Sequence, residues 1–144
     1  VAVETGQAVT SALWTRLTTD ATLMSALGGT VDLYRVMAPQ DPTMPYGVHR
    51  LIMGDNVFHG THTYFLDWWD YNETPERLDL AVDRATALLH EWRFATAANE
   101  ASGLIERFPG GCGYIPTDAE KVWHYSSMWY VRIVAARDIT AIVT

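Results

Sequence analysis

The chain has 144 residues, 49% of them hydrophobic, and a formal net charge of −7, which is length enough for one domain with a real core and excludes an intrinsically disordered polypeptide. One lysine, Lys121, stands among ten basic residues, a balance that opposes wrapping of nucleic acid, because phosphate contacts need clustered positive charge. Cys112 is a single cysteine, so the fold does not depend on an intrachain disulfide, and no run reaches the roughly 18 apolar residues of a membrane span.

The N-terminus lacks the charged start and apolar core of a signal peptide, so the expectation is a soluble protein that folds in a cytoplasm. Six tryptophans and seven tyrosines are a heavy aromatic load. Aromatics concentrate at protein–protein interfaces as well as in cores, which raises the expectation of an oligomer.

From about Gln7 to Leu27 the spacing predicts helix. Val9, Leu13 and Leu17 fall at i, i+4 and i+8 with Ala12 beside them, one apolar stripe. Asp20 is placed to cap a second short piece, Ala21 to Leu27, which Gly28-Gly29 ends. Trp14 is read as the edge of the stripe rather than an exposed anchor. Strands are predicted over about Val31–Val36 and Tyr46–Met53, the second alternating Tyr46, Val48, Arg50 and Ile52 against Gly47, His49, Leu51 and Met53. Pro39, Pro42 and Pro45 make the connector between them stiff.

Gly54-Asp55-Asn56 marks a turn and Val57–Gly60 an irregular tip. A strand from His62 to Tyr71 sets Tyr64, Leu66 and Trp68 on one face and Phe65, Asp67, Trp69 and Tyr71 on the other. Both faces carry aromatics, so the side turned away from the helices is expected to be covered, in a small domain by a neighbouring subunit.

Thr74 as N-cap and Pro75 at the first helical position start a helix whose Leu78, Val82, Ala85, Leu89 and Trp92 form a stripe reaching Phe94. Arg77, Asp79, Asp83, Arg84 and Glu91 lie mostly off it and read as a solvated face. Ala95–Ser102 reads as loop, Leu104–Phe108 as a weak strand, and Pro109-Gly110-Gly111-Cys112-Gly113 as turn or flexible loop. The last strand runs from about Trp123 to Ala136, with Trp123, Tyr125, Ser127, Trp129, Val131 and Ile133 on one face and His124, Ser126, Met128, Tyr130, Arg132 and Val134 on the other. The expected fold is a single α+β domain over residues 1–144, a mostly antiparallel sheet of four to five strands with two helices packed on one face.

No convincing active site emerges, and no catalytic residue, cofactor or metal is expected. His59 and His62, with Asp55, Asp67 and Asp70 nearby, have the residue types of a metal site, but a strand sends His62 and Asp67 to opposite faces and no third ligand has motif spacing, so a loop-and-surface role is preferred. Cys112 has no local support for a pair with His49, His90 or His124. The glycines around it lack the Lys-Ser/Thr ending of a phosphate loop. Asp67 and Asp70 read as sheet rim, Glu73 and Glu76 as helix N-terminal charge.

The order of motifs carries more than any one of them. Ala12-Leu13-Trp14-Thr15-Arg16-Leu17, then Asp20–Gly29, then Val31–Arg35 and Ala38-Pro39, then Pro45-Tyr46-Gly47-Val48 resembles the tail terminator or tail completion (head–tail joining) proteins of long-tailed bacteriophages. His62–Tyr71, Pro75–Phe94 and Leu104–Ala136 fill the family's remaining places in order, so the resemblance covers most of the chain. It implies a virion protein with no chemistry: a homo-hexameric ring at the head–tail junction, assembled in the host cytoplasm, that stops tail-tube growth and binds the tail tube protein and the head-completion or connector protein. DNA would pass through the lumen without sequence-specific binding, which an acidic chain suits. A ring needs two unlike sticky surfaces per subunit; the candidates are the arm with Pro39, Asp41 and Met44 and the strand residues Tyr46, Phe65, Trp69 and Tyr71. The alternatives are another neck protein (head-closure or adaptor), or a small-ligand-binding or enzymatic α+β domain with a pocket lined by Trp68, Trp92, Trp123 and Trp129.

Overall fold

The computed structural model describes residues 2–54, 59–96 and 101–135. In chain order the elements are α1 (Ala2–Thr18), α2 (Ala21–Ala26), β1 (Leu33–Arg35), β2 (Tyr46–Ile52), β3 (His59–Tyr71), α3 (Glu76–Leu89), β4 (Trp92–Ala95), β5 (Ala101–Arg107), a 3₁₀ turn over Pro109–Gly111, β6 (Gly113–Ile115) and β7 (Val122–Ala135). The expected turn and tip after Gly54 fall largely on residues 55–58, outside the described residues.

The alternation in the two longest strands organises the domain. β3 and β7 pair antiparallel from His59↔Val134 to Tyr71↔Val122. Around them the sheet has the order β1-β2-β3-β7-β5-β4, with β6 also on β7. Tyr64, Leu66, Trp68, Trp129, Val131 and Ile133 are all buried, and all join one core with Val9, Leu13 and Leu17 of α1, Leu23 of α2 and the Leu78–Leu89 stripe of α3. The three helices therefore cover one face of the sheet, as α+β layering requires.

Several expectations need correction. Among the described residues the sheet has seven strands rather than four or five, three helices lie on it rather than two, and β1 runs parallel to β2. β1 lies within the strand expected over about Val31–Val36, whereas β6 has three residues, too few to show a period of two. β4 was hidden for a different reason: Trp92 follows Leu89 at a helical spacing, yet α3 ends at Leu89 and the chain turns at Glu91, whose φ is 61°. Thr74 does not cap α3; Pro75 occupies the N-cap position without a side-chain bond.

The solvated reading of α3 also fails at two arginines. Arg77 binds Asp70 through Nε (2.9 Å) and Nη2 (2.5 Å), and Arg84 binds Asp20 through Nε (2.9 Å) and Nη2 (2.8 Å). Asp70 is fully buried, not sheet rim. Asp20 caps α2 as expected, accepting from the Leu23 N–H at 2.8 Å, and Gly28 and Gly29 follow at φ 90° and 130°, the geometry that stops a helix. Trp14 is 45% exposed, but its Nε1–H donates to the Leu33 carbonyl at 3.1 Å. It is an edge residue tied down by a hydrogen bond.

Gly47 lies against Trp68 across the β2–β3 pair, where a Cβ would meet the indole at 2.6 Å and Leu33 Cδ1 at 3.0 Å. Gly47→Ala is expected to cost about 1–3 kcal/mol by overpacking, read as a lower urea midpoint with an unchanged denaturant slope.

Candidate interaction surface

The helix-free face of the sheet is set by the same alternation. β3 turns Phe65, Asp67, Trp69 and Tyr71 to it, and the register brings Tyr46 opposite Trp69, His124 opposite Trp69 from the other side, and Met128 opposite Phe65. The result is a ladder of rings across four strands. Tyr34 lies 6.2 Å from Tyr46, Tyr46 stacks on Trp69 at 5.1 Å, and Trp69 stacks on His124 at 4.2 Å. Arg50 sits over Phe65 at 4.6 Å, and Phe108 meets Tyr130 edge-on at 5.1 Å.

Asp67 is the acid of this face, and it is fixed. Its carboxylate oxygens bond His124 Nε2 (3.0 Å) and the Ser126 hydroxyl (2.9 Å). Mutual shading of the rings leaves most of the face half-buried rather than open, while Tyr71 (57%), Ile52 (47%) and Tyr130 (39%) remain exposed. No helix among the described residues covers it. An apolar face of this breadth is the kind of surface that another protein covers.

The second surface is the arm from Val36 to Pro45. Val36 has φ 70°, in the left-handed region that a β-branched residue rarely adopts. Two bonds hold it there: the Val36 N–H donates to the His49 carbonyl and the Met37 N–H to the Arg35 carbonyl, each at 2.9 Å. The second closes a three-residue turn of the strained, positive-φ kind, at a cost of order 1–3 kcal/mol. Asp41 is also left-handed, at φ 52°. The strain turns two apolar side chains outward, Val36 at 61% exposure and Met37 at 74%.

The structure thus brings Tyr46, Phe65, Trp69 and Tyr71 together on one face, and puts Pro39 and Asp41 exposed and Met44 half-buried on the arm. Tyr34, Met128 and Tyr130 on the face, and Val36 and Met37 on the arm, were missed as interface candidates. The alternation of β7 already placed Met128 and Tyr130 on one side; only the strand pairing shows that it is the side of Phe65.

The other candidate chemistries do not assemble. Trp68 and Trp129 are core, Trp92 packs on Phe94 beneath Arg16, and Trp123 Nε1–H donates to the Asn72 carbonyl at 3.0 Å, so the four tryptophans line no common pocket. Cys112 Sγ donates to the Phe108 carbonyl at 3.3 Å, while His49, His90 and His124 are engaged by Tyr64, the Arg107 N–H and Asp67. His62 is buried rather than on the surface, accepting from the Gly54 N–H at 2.6 Å. The described residues contain no group of three or more metal-ligating side chains. An open groove of about 620 Å³ lies between α2 and α3, lined by Ala21, Thr22, Ser25, Ala26, Arg77, Leu80 and Arg84.

No protein-family model matches the chain, and no curated protein matches it either. Among solved structures it is similar to a chain described as "Virion of native gene transfer agent (GTA) particle", with a TM-score of 0.67 and 11% sequence identity, over 88% of this chain and 95% of that one. At that identity the likeness shows a shared fold: this α+β domain is built like a chain of a gene transfer agent virion.

Proposed function

We propose that this chain is a structural virion protein of a phage-like particle, and specifically a hexameric ring at the head–tail junction that caps the tail tube and joins it to the head connector. The observation that carries the reading is the fold shared with a gene transfer agent virion chain over nearly the whole of both. The motif order supports the terminator assignment, and the two outward surfaces suit a subunit whose contacts lie within a ring and between layers of a particle. The role needs no catalysis: the ring positions partners, and an acidic chain lets DNA pass without gripping it. A head-closure or adaptor role would use the same partners in another layer of the neck.

Light scattering of the purified protein, alone and with tail tube protein, tests this. The expected species is a ring of about 97 kDa, six times 16.1 kDa, formed freely or on tube ends. A 16 kDa monomer that ignores both tube and connector would overturn the reading.

The sheet face gives a second check. Tyr71→Asp replaces an exposed ring and is expected to shift stability by no more than about 0.5 kcal/mol, whereas Tyr130→Asp also gives up the edge-on contact with Phe108 and is expected to cost about 0.5–1.5 kcal/mol. Each is also expected to weaken assembly, free or on tube ends, by roughly ten-fold or more, the loss of an aromatic anchor. Unchanged assembly in both variants would remove the face from the interface.

A further inference from the structure

Charge in this chain is divided between the two sides of the sheet. On the helix-free side the register sets Arg93 of β4, Leu104 of β5 and Arg132 of β7 in one row across three strands. Arg93 makes no ion pair or hydrogen bond among the described residues. Arg132 is 65% exposed at its side chain, and its nearest acid, Glu106, stands off at 3.7 Å. Arg50 adds a third cation, seated over Phe65 and without an acid. The other acid of this side is Asp67, already bonded to His124 and Ser126, and Glu91, two residues before Arg93, faces His90 at 3.8 Å. In a chain of net charge −7, this side carries an excess of cations.

The outward stripe of α3 is the reverse. Glu76, Leu80 and Asp83 fall at i, i+4 and i+7, and all three are exposed, Leu80 by 64%. Neither acid makes an ion pair among the described residues. The arginines that flank the stripe are engaged elsewhere, Arg77 by Asp70 and Arg84 by Asp20. Arg107 shares the neighbourhood of Tyr125 with Asp83 but forms no ion pair with it. The two patterns also agree in spacing. Seven helical residues put Glu76 and Asp83 about 10 Å apart with Leu80 between them. Two strand spacings put Arg93 and Arg132 about 10 Å apart with Leu104 between them.

We propose that α3 of one copy lies across β4, β5 and β7 of the next, with Leu80 on the half-buried Leu104 and Glu76 and Asp83 on the two arginines. The two surfaces lie on opposite sides of the sheet, so one pair of molecules cannot make the contact twice, and it repeats head to tail. This deepens the ring reading and rests on it: it names both halves of the contact between subunits and leaves the arm for another layer of the particle.

The test measures assembly of the full chain by light scattering and sedimentation, with and without tail tube protein, for wild type and two charge-reversed variants. These are Arg93→Glu/Arg132→Glu and Glu76→Arg/Asp83→Arg. All four side chains are exposed, and melting curves establish that the variants fold. Each variant alone sets like charges against each other and is expected to need at least ten-fold more protein than wild type to assemble. Mixed in equal amounts they should assemble as wild type does, the two alternating, because each then offers the other the opposite sign.

If wild type forms a ring and either variant alone forms it equally well, or mixing fails to restore it, this contact is overturned and the ring reading stands. If wild type forms only a pair or an open chain, lost in each variant and regained on mixing, the contact stands and the ring reading fails. If wild type forms nothing larger than a monomer, free or on tube ends, both fall.

Discussion

Replacing Arg77 by alanine is expected to destabilise the protein by about 3–5 kcal/mol, the cost of leaving a buried charge without its partner. Asp70 is 0% exposed at the end of β3, and its carboxylate also accepts the Tyr71 N–H at 2.8 Å. The two parallel bonds from Arg77 join that strand end to the first turn of α3. Arg77→Lys should recover little, because an ammonium cannot reproduce two-pronged binding. Asp70→Asn combined with Arg77→Ala should recover part of the loss, because the stranded charge is gone. Urea unfolding at pH 7 reads all three, and in a chain of this size the single alanine variant should melt on the order of 10 °C lower. A loss under about 1 kcal/mol would show that water reaches Asp70. Arg84→Ala is expected to be milder, about 1 kcal/mol, since Arg84 and Asp20 are 37% and 15% exposed at their side chains.

What could be read from the sequence was what one element decides alone. The stripes Val9, Leu13, Leu17 and Leu78, Val82, Ala85, Leu89 are buried, as are the even residues of β3 from Tyr64 to Trp68 and the odd residues of β7 from Ser127 to Ile133. Each is a long run of a single period whose burial follows from helix or strand geometry. What could not be read depends on distant partners. Leu89 and Trp92 are three apart and suit a continuing helix; they part because the Glu91 N–H bonds the Ile105 carbonyl and turns the chain into β4. The parallel placement of β1 follows from the path of the arm, and no periodicity in Leu33–Arg35 reports it.

The same division holds at the proposed interface. Phe65, Trp69 and Tyr71 were recognisable as a second aromatic face because alternation within β3 is enough to put them there. The ladder was not, since Trp69 stacks on His124 only through the pairing of strands 55 residues apart. Arg84 and Asp20 looked like solvated charge and a local cap until the fold put them together across 64 residues. Val36 read as the end of a strand. Its left-handed backbone is enforced by the His49 and Arg35 carbonyls, and a valine carries no sequence signal for that conformation.

Acid should weaken the fold well before its carboxylates protonate. His49 is 1% exposed and its Nδ1 shares a hydrogen bond with the Tyr64 hydroxyl at 2.7 Å. Burial, helped by the charge of Arg35, pushes its pKa from 6.5 down to about 4, and burial pushes the Tyr64 phenol well up, so both stay neutral at pH 7. The unfolded chain takes up the His49 proton near pH 6.5 and the folded chain only near pH 4, so between these values the unfolded state binds more protons. Stability therefore falls as the pH is lowered through that window, by about 3 kcal/mol. His62 adds to the same limb: burial lowers its pKa, its Nε2 is buried without a partner, and its Nδ1 must stay unprotonated to accept from Gly54. Asp20 acts lower down, because hydrogen bonding to Arg84 holds its pKa at about 2 against 3.8 unfolded, and its contribution is lost only as the pH falls through that lower range. Urea midpoints measured from pH 7 to pH 2 should thus show two successive losses, one between about pH 6.5 and 4 and one below 3.8. The double variant His49→Leu/Tyr64→Phe removes the buried pair without stranding either partner, and should erase most of the upper loss while leaving the lower one. A wild-type midpoint that stays level from pH 7 to pH 4.5 would mean that His49 takes up its proton in the folded chain as readily as in the unfolded one.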